Sequence, residues 1–284
     1  QIIDVSNPSA IFATDAERDE ENGFTQLQGA QGADIFTIGS KTYAIVTALG
    51  HWQTENTNAV QIIDISNPSA IVAKDTFAHA NMQYPGGVET FTIGAKTYAA
   101  VAGNHSNGGS GTTAATVQIL DISDPTNIVA KDSLVNSGSL ELNGAWYLDI
   151  FTVGSSTYAI VAGYDDDGVQ IIDISDPTTI TAVDSLGHGG SVKLDHPYNV
   201  DTFTIGSTIY AIVPSSTWDE NDGSLQIIQL STDEGFVEEI SKALSESISF
   251  TDSITKSTTK LLSETLSFTV DGAGTKDTRT VSLP

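Results

Sequence analysis

Val169-Gln170-Ile171-Ile172-Asp173-Ile174-Ser175-Asp176-Pro177 is a phrase that the chain repeats. Gln61 to Pro68 and Gln118 to Pro125 carry it, Gln1 to Pro8 opens the chain with it, and Gln226 to Ser231 is a worn copy. The copies start near 1, 61, 118, 170 and 226, a period of 52 to 60 residues. A period of this size marks a repeat architecture and outranks any local signal.

Each repeat holds four short apolar runs around the phrase. In the second they are Val88–Ile93, Thr97–Val101, Val117–Ile122 and Ile128–Asp132, labelled A to D. Rich in Val, Ile, Thr, Tyr and Phe and bounded by Gly or Pro, they read as strands. Strand C has apolar residues at both parities, which predicts burial on both faces. The A-to-B connections are tight and begin with Gly39, Gly94, Gly154 and Gly206, as short hairpins require. The C-to-D connections are Asn-Pro or Asp-Pro turns. The B-to-C and D-to-A connections are long and variable. Four antiparallel strands per unit, repeated about five times, predict an all-β fold, a β-propeller of five blades. Strand A lines its axis, and the two long connections share one face.

The ends of the chain complement each other. Residues 1–14 supply a C and a D strand without A or B, whereas Leu266–Gly272 resembles an A strand and Thr278–Leu283 a B strand. The expected organisation is therefore propeller repeats over 1–240 and a Ser/Thr-rich segment over 241–284. The end of that segment, 264–284, completes the first blade and closes the ring, with Phe268 and Val281 beside Ile2 and Val5. Ser245–Thr251 is echoed by Ser263–Thr269, and 240–266 has spacing that suits a helix but a composition that does not.

Of the 284 residues, 39% are apolar, enough for a large core. Eleven basic against 36 acidic residues give a net charge of −25. That surface repels nucleic acid and anionic lipid and attracts cations or basic partners. There is no cysteine, no apolar run of the roughly 18 residues a membrane helix needs, and no signal peptide pattern. Starting inside a repeat, the chain reads as processed or trimmed. The abundance of Ser, Thr, Gly, Asp and Asn with few Lys reads as an extracellular or salt-adapted surface.

The phrase QIIDISDP after a Tyr-Ala-Ile-Val strand resembles the LVIVD-type repeats of extracellular β-propeller proteins, over residues 1–240. The Ser-Glu-Ser-Ile-Ser-Phe-Thr-Asp-Ser run at 245–253 resembles the tandem repeats of archaeal cell-surface proteins. These resemblances imply a cell-surface or filament-forming protein rather than an enzyme.

All five His and all three Trp fall in the long connections. Trp52, Trp146, Tyr147, Tyr164, His188, His196, Tyr198 and Trp218 are the candidate ligand-binding residues, suited to sugar rings or a protein partner; the plain alternative is that they plug loops against the blades. Asp165 and Asp167, and Asp219 and Asp222, lie in Gly-ended acidic turns that could hold calcium or simply be solvated. Asp34, Glu89, Asp149 and Asp201 each precede the strand-A Phe by two positions and would form a carboxylate ring at the axis. Such acids could hold a cation or accept hydrogen bonds from the next blade. No nucleophile elbow, phosphate loop or zinc-protease motif is present. The resulting expectation is a non-enzymatic surface module for binding, adhesion or filament assembly. Its partner would be a protein, a glycan or another copy of itself. The alternative is a carbohydrate-active or metal-dependent enzyme with its site on the long-loop face.

Overall fold

The computed structural model describes residues 1–50, 58–79, 82, 84–104, 115–216, 223–232, 235–236, 265–272 and 275–282. The chain divides into a unit of Gln1–Ser247 and a unit of Ile248–Pro284.

In the first unit, β1 (Ile2–Asp4) and β2 (Phe12–Asp15) form a two-stranded sheet. Three four-stranded antiparallel blades follow. Blade one is β3 (Ala30–Ile38), β4 (Lys41–Ala48), β5 (Ala59–Asp64) and β6 (Val72–Ala78); blade two is β7 (Pro85–Ile93), β8 (Lys96–Gly103), β9 (Thr116–Asp121) and β10 (Val129–Val135). Blade three is β11 (Ala145–Val153), β12 (Ser156–Gly163), β13 (Gly168–Asp173) and β14 (Thr181–Gly187). A three-stranded sheet comes next, of β15 (Asp201–Ile205), β16 (Thr208–Ser216) and β17 (Gly223–Gln229), and then a short pair, β18 (Ser231–Thr232) with β19 (Gly235–Phe236). In the second unit, β20 (Thr265–Gly272) and β21 (Thr275–Ser282) make a hairpin that pairs Phe268 with Arg279. The strands expected over Leu266–Gly272 and Thr278–Leu283 are thus present as a hairpin, with the second strand starting earlier. Residues 241–262 lie outside the described residues.

The A strands sit side by side, β3 against β7, β7 against β11 and β11 against β15, as strands lining a propeller axis must. Each A–B hairpin turns through a glycine with φ between 61° and 66° (Gly39, Gly94, Gly154 and Gly206). Glycine at the first of two central positions is the type II′ pattern, whose twist matches the strands it joins. Each hairpin also stacks a Phe on the Tyr opposite. Phe36–Tyr43, Phe91–Tyr98, Phe151–Tyr158 and Phe203–Tyr210 have ring centroids 5.4 to 5.6 Å apart.

The core lies between blades. Ile45, Val60 and Ile62 of blade one pack with Val88, Val101 and Leu120 of blade two. The other face of blade two gives Ala100, Val117 and Ile119 to a layer shared with Val161 and Ile172 of blade three. Strands β5 and β9 are buried along their whole length, as the two-parity pattern predicted.

The polar residues of the repeated phrase work locally. Asp64, Asp121 and Asp173 accept the backbone N–H of Ser66, Ser123 and Ser175. Those serine hydroxyls in turn accept the N–H of Thr42, Thr97 and Thr157 on strand B. The phrase's Gln reaches outward: Gln170 Oε1 accepts Glu141 N–H and Gln226 Oε1 accepts Lys193 N–H, pinning the loops that enter blade three and the β15–β17 sheet.

Carboxylates also staple one blade to the next. Asp15, Asp75 and Asp132, at the outer strands, accept the N–H of Ile71, Ile128 and Ile180 in the following blade, at 2.7, 2.7 and 2.8 Å. At the axis, Asp34 and Asp149 accept from Thr90 and Thr202 of the following blade. The acceptor always precedes its donor in sequence, by 48 to 56 residues.

Candidate functional site

Two groups of side chains meet at the axis. The lower group is the carboxylate ring. In blades one and three the acid is fully engaged: Asp34 Oδ1 accepts its neighbour Ile35 N–H at 2.7 Å, and Oδ2 accepts Thr90 N–H and Oγ1 at 2.7 and 2.5 Å. Asp149 repeats this with Ile150, and with Thr202 at 2.6 and 2.5 Å. Glu89 breaks the pattern. Its partner position in the next blade is Ile150, which has no hydroxyl and whose N–H is already given to Asp149. Among the described residues no donor bonds the Glu89 carboxylate. Burial, and then the negative charges of Asp34, Asp149 and Asp201, push it up to about 7. Asp201 is exposed and its carboxylate accepts no hydrogen bond from the described residues.

The upper group is aromatic and lies where each A strand begins. β3, β7 and β11 each start with a two-residue bulge, at Gln31-Gly32, Gly86-Gly87 and Trp146-Tyr147. Successive bulges touch. A Cβ on Gly32 would lie 2.5 Å from Gly86 O, one on Gly87 would lie 2.9 Å from the Tyr147 ring, and one on Gly86 would overlap Trp146 O. The glycines of blade two thus let the Trp146 and Tyr147 rings lie over their backbone. Tyr198, which enters the next sheet, stacks on Trp146 and tilts against Tyr147, both with centroids 5.7 Å apart. Tyr164, at the end of β12, meets Tyr198 edge-on at 6.2 Å and His196 at 4.8 Å. Burial is the main cause that raises the hydroxyl pKa of both Tyr164 and Tyr198.

His196 joins this cluster to a carboxylate pair. Its Nδ1 lies 2.6 Å from Asp195 Oδ1 and 3.6 Å from Asp167 Oδ1, while its backbone N–H bonds Asp167 Oδ1 at 2.8 Å. The three ligand atoms fall within 4.8 Å of one another, close enough to share one cation. Asp167 and His196 both hold left-handed backbone, with φ of 55° and 49°, the type of strain that gathers at functional sites.

Five of the eight expected ligand residues (Trp146, Tyr147, Tyr164, His196 and Tyr198) therefore converge. Trp146 and Tyr147 lie on the bulged start of β11 rather than in the loop before it. His188 is exposed and caps a turn, its Nδ1 facing Leu194 N–H at 3.2 Å. Trp52 and Trp218, and the expected calcium ligands Asp219 and Asp222, lie outside the described residues. Of the other two, Asp167 turns to His196, while exposed Asp165 bonds Asn143 O through its backbone N–H. The residues that the aromatic and acidic-turn patterns missed are Asp195 and the exceptional state of Glu89. The latter had a signal: it is the one Glu among Asp residues, and it faces Ile where Asp34 and Asp149 face Thr.

The LVIVD repeat model matches residues 1–13, 55–78, 114–135 and 155–186. No curated protein matches the chain in sequence. Solved structures with a similar chain path include a Bombyx mori GH32 β-fructofuranosidase, at 11% identity and TM-score 0.46, covering 70% of this chain and 46% of the enzyme. A GH43 β-1,3-galactosidase has 11% identity, TM-score 0.49 and coverage of 70% and 72%. A family 117 glycoside hydrolase from the marine bacterium Zobellia galactanivorans has 8% identity, TM-score 0.49 and coverage of 75% and 69%. The chain spans about half the length of the Bombyx mori enzyme. These neighbours are enzymes, which corrects the expectation of a non-enzymatic binding or assembly module; at such identity the likeness is one of fold. The chain folds as a β-propeller, and four of its stretches match the LVIVD repeat.

Proposed function

We propose that the protein is a carbohydrate-active enzyme that cleaves a glycosidic bond at the axis on the long-loop face, with Glu89 as the proton donor. The observation that carries this reading is the asymmetry of the ring. Two of its acids are fixed by hydrogen bonds, and one, Glu89, is raised to about 7 by burial and by its neighbours' charge. Glycosidic cleavage needs such a carboxylic acid held protonated near neutral pH beside a second carboxyl group. Glu89 gives its proton to the glycosidic oxygen as the bond to the anomeric carbon breaks. Asp201, open to solvent and without a donor among the described residues, takes a proton from the water that adds to that carbon. Asp34 and Asp149 do not react; they are positioning residues whose charge keeps the proton on Glu89. Trp146 and Tyr198 offer the flat apolar surface that a sugar ring stacks on.

The test is hydrolysis of a panel of aryl glycosides and plant or algal oligosaccharides by the wild-type chain and by Glu89→Gln and Asp201→Asn. Wild-type turnover is expected to fall as pH rises through about 7, and Glu89→Gln to lose about 10²–10⁴-fold in rate. A Glu89→Gln variant as active as the wild type, or a panel left wholly intact, overturns the assignment.

A further inference from the structure

At the bulge positions the mouth of the axis carries aromatic rings on the side of blade three and the β15–β17 sheet, and glycines on the side of blades one and two. The chain places Gln31-Gly32 and Gly86-Gly87 on the glycine side and Trp146-Tyr147 on the other, where Tyr198 stacks on them. The aromatic wall is rigid. Trp146 and Tyr147 rest on the backbone of Gly86 and Gly87, and Tyr164, itself held edge-on by His196, braces Tyr198. Tyr198 nevertheless keeps 44% of its surface open to solvent. A braced ring with one open face is a preorganised stacking platform, with little entropy left to lose on binding.

Its surroundings are negative. Asp149 follows Tyr147 by two positions on β11, about 7 Å along the strand, and Asp34, Glu89 and Asp201 complete the ring there. Glu141, Asp166 and Asp167 share a second negative field, in which burial first and then the two aspartates raise the Glu141 carboxyl. The lysine of the loop entering β15, Lys193, is exposed and turns its Nζ to Gly190 O at 3.4 Å. Among the described residues no cation is presented to an acidic sugar.

We propose that the substrate is a neutral glycan, one ring of which stacks on Trp146 and Tyr198, and that the charge of the site keeps acidic sugars from binding and basic sugars from being cleaved. This rests on the hydrolase reading and narrows it. A uronate or sulfated sugar would meet at least three negative charges at short range. An amino sugar would bind, but its ammonium would stabilise ionised Glu89 and remove the proton that cleavage needs. Only an uncharged ring leaves the acid protonated.

The experiment titrates tryptophan fluorescence of the full chain carrying Glu89→Gln, which blocks turnover, with oligosaccharides of matched length from neutral β-glucan, β-galactan and β-xylan, and with oligogalacturonate. Chitosan oligosaccharides are tested separately as substrates of the wild type. At least one neutral oligosaccharide should change the emission, and the change should vanish with Trp146→Phe. Tyr198→Ala should weaken binding about tenfold, the loss of one good aromatic stack, while Tyr198→Phe binds as before and both variants keep the parental melting temperature. Oligogalacturonate should not bind and chitosan should not be cleaved. Binding of oligogalacturonate as tight as that of the best neutral chain, cleavage of chitosan, or binding indifferent to Tyr198→Ala overturns the proposal. Those failures are separable from failure of the hydrolase reading. A wild-type chain that cleaves glycans without the platform keeps the acid and loses the stacking. A chain that binds neutral glycans through Trp146 but never cleaves them does the reverse.

Discussion

Thr90 gives both its backbone N–H and its hydroxyl to one carboxylate oxygen of Asp34, at 2.7 and 2.5 Å, so that neighbouring Glu89 is left to face a filled ring. The same double donation joins Thr202 to Asp149. Valine in place of Thr90 keeps the shape and the N–H but removes the hydroxyl from a half-buried carboxylate. Thr90→Val should lower stability by about 1.5–3 kcal/mol, the usual worth of a hydrogen bond to a charged group. Urea unfolding with an unchanged m-value would record it. Thr202→Val should match it, and a loss close to zero in both would mean that the hydroxyls are dispensable.

Glu89 is a burden on the fold as well as the proposed acid. Its folded pKa lies above its unfolded value of 4.5, at about 7. The native state therefore binds the extra proton between those values, and stability falls as pH rises through that window. Glu89→Gln removes the penalty. Its melting temperature should exceed that of the wild type at pH 8 and equal it at pH 4. The gain at pH 8 should be about 1–2 kcal/mol, after allowing for the solvent that still reaches the group.

Gly86 is needed for what a side chain would strike. A Cβ there overlaps the Trp146 carbonyl and comes within 3.1 Å of its indole. Gly86→Ala should cost about 1–3 kcal/mol through overpacking and shift Trp146 emission in the folded protein. An alanine accepted with neither change would show that the blade-two and blade-three bulges do not touch in solution.

The short-loop face should fail in acid. Burial pushes the Asp121 carboxyl up, but hydrogen bonds from Lys96 and Ser123 and the nearby Lys131 outweigh it and hold the group well below the usual carboxylate range. Its stabilising contribution is complete above the unfolded value of 3.8 and is lost as pH falls toward the folded one. Asp121→Asn should lower stability at pH 7 by about 1 kcal/mol, because water still screens the lysines. It should also flatten the decline of stability below pH 4 relative to the wild type, as read from melting temperatures at stepped pH.

The strands were legible because the phrase repeats with its punctuation. Glycine at the hairpin turn and Asn-Pro or Asp-Pro between C and D each fix a backbone conformation locally, so neighbours in sequence sufficed. The carboxylate ring was legible as a spacing, two before Phe36, Phe91, Phe151 and Phe203. What each acid does there was not, because the donor to Asp34 lies 56 residues away and only blade contact brings it near. The meeting of Trp146, Tyr164 and Tyr198 depends on a bulge and two irregular loops, which no periodic pattern encodes. Asp15, Asp75 and Asp132 escaped notice for another reason: an acid on an outer strand looks like ordinary solvated surface until the next blade donates to it.

The one-way order of those staples bears on how the chain emerges during synthesis. Each of these five carboxylate bonds has its acceptor in the earlier blade and its N–H in the later one. A partly translated protein therefore waits with Asp15, Asp75 or Asp132 facing water, and an ionised acid is well hydrated while it waits. The bare backbone donor, which would otherwise seek a foreign strand, arrives only when its acceptor is already folded and in place. A nascent blade thus meets its neighbour across a charged border that repels other unfinished copies on the same messenger.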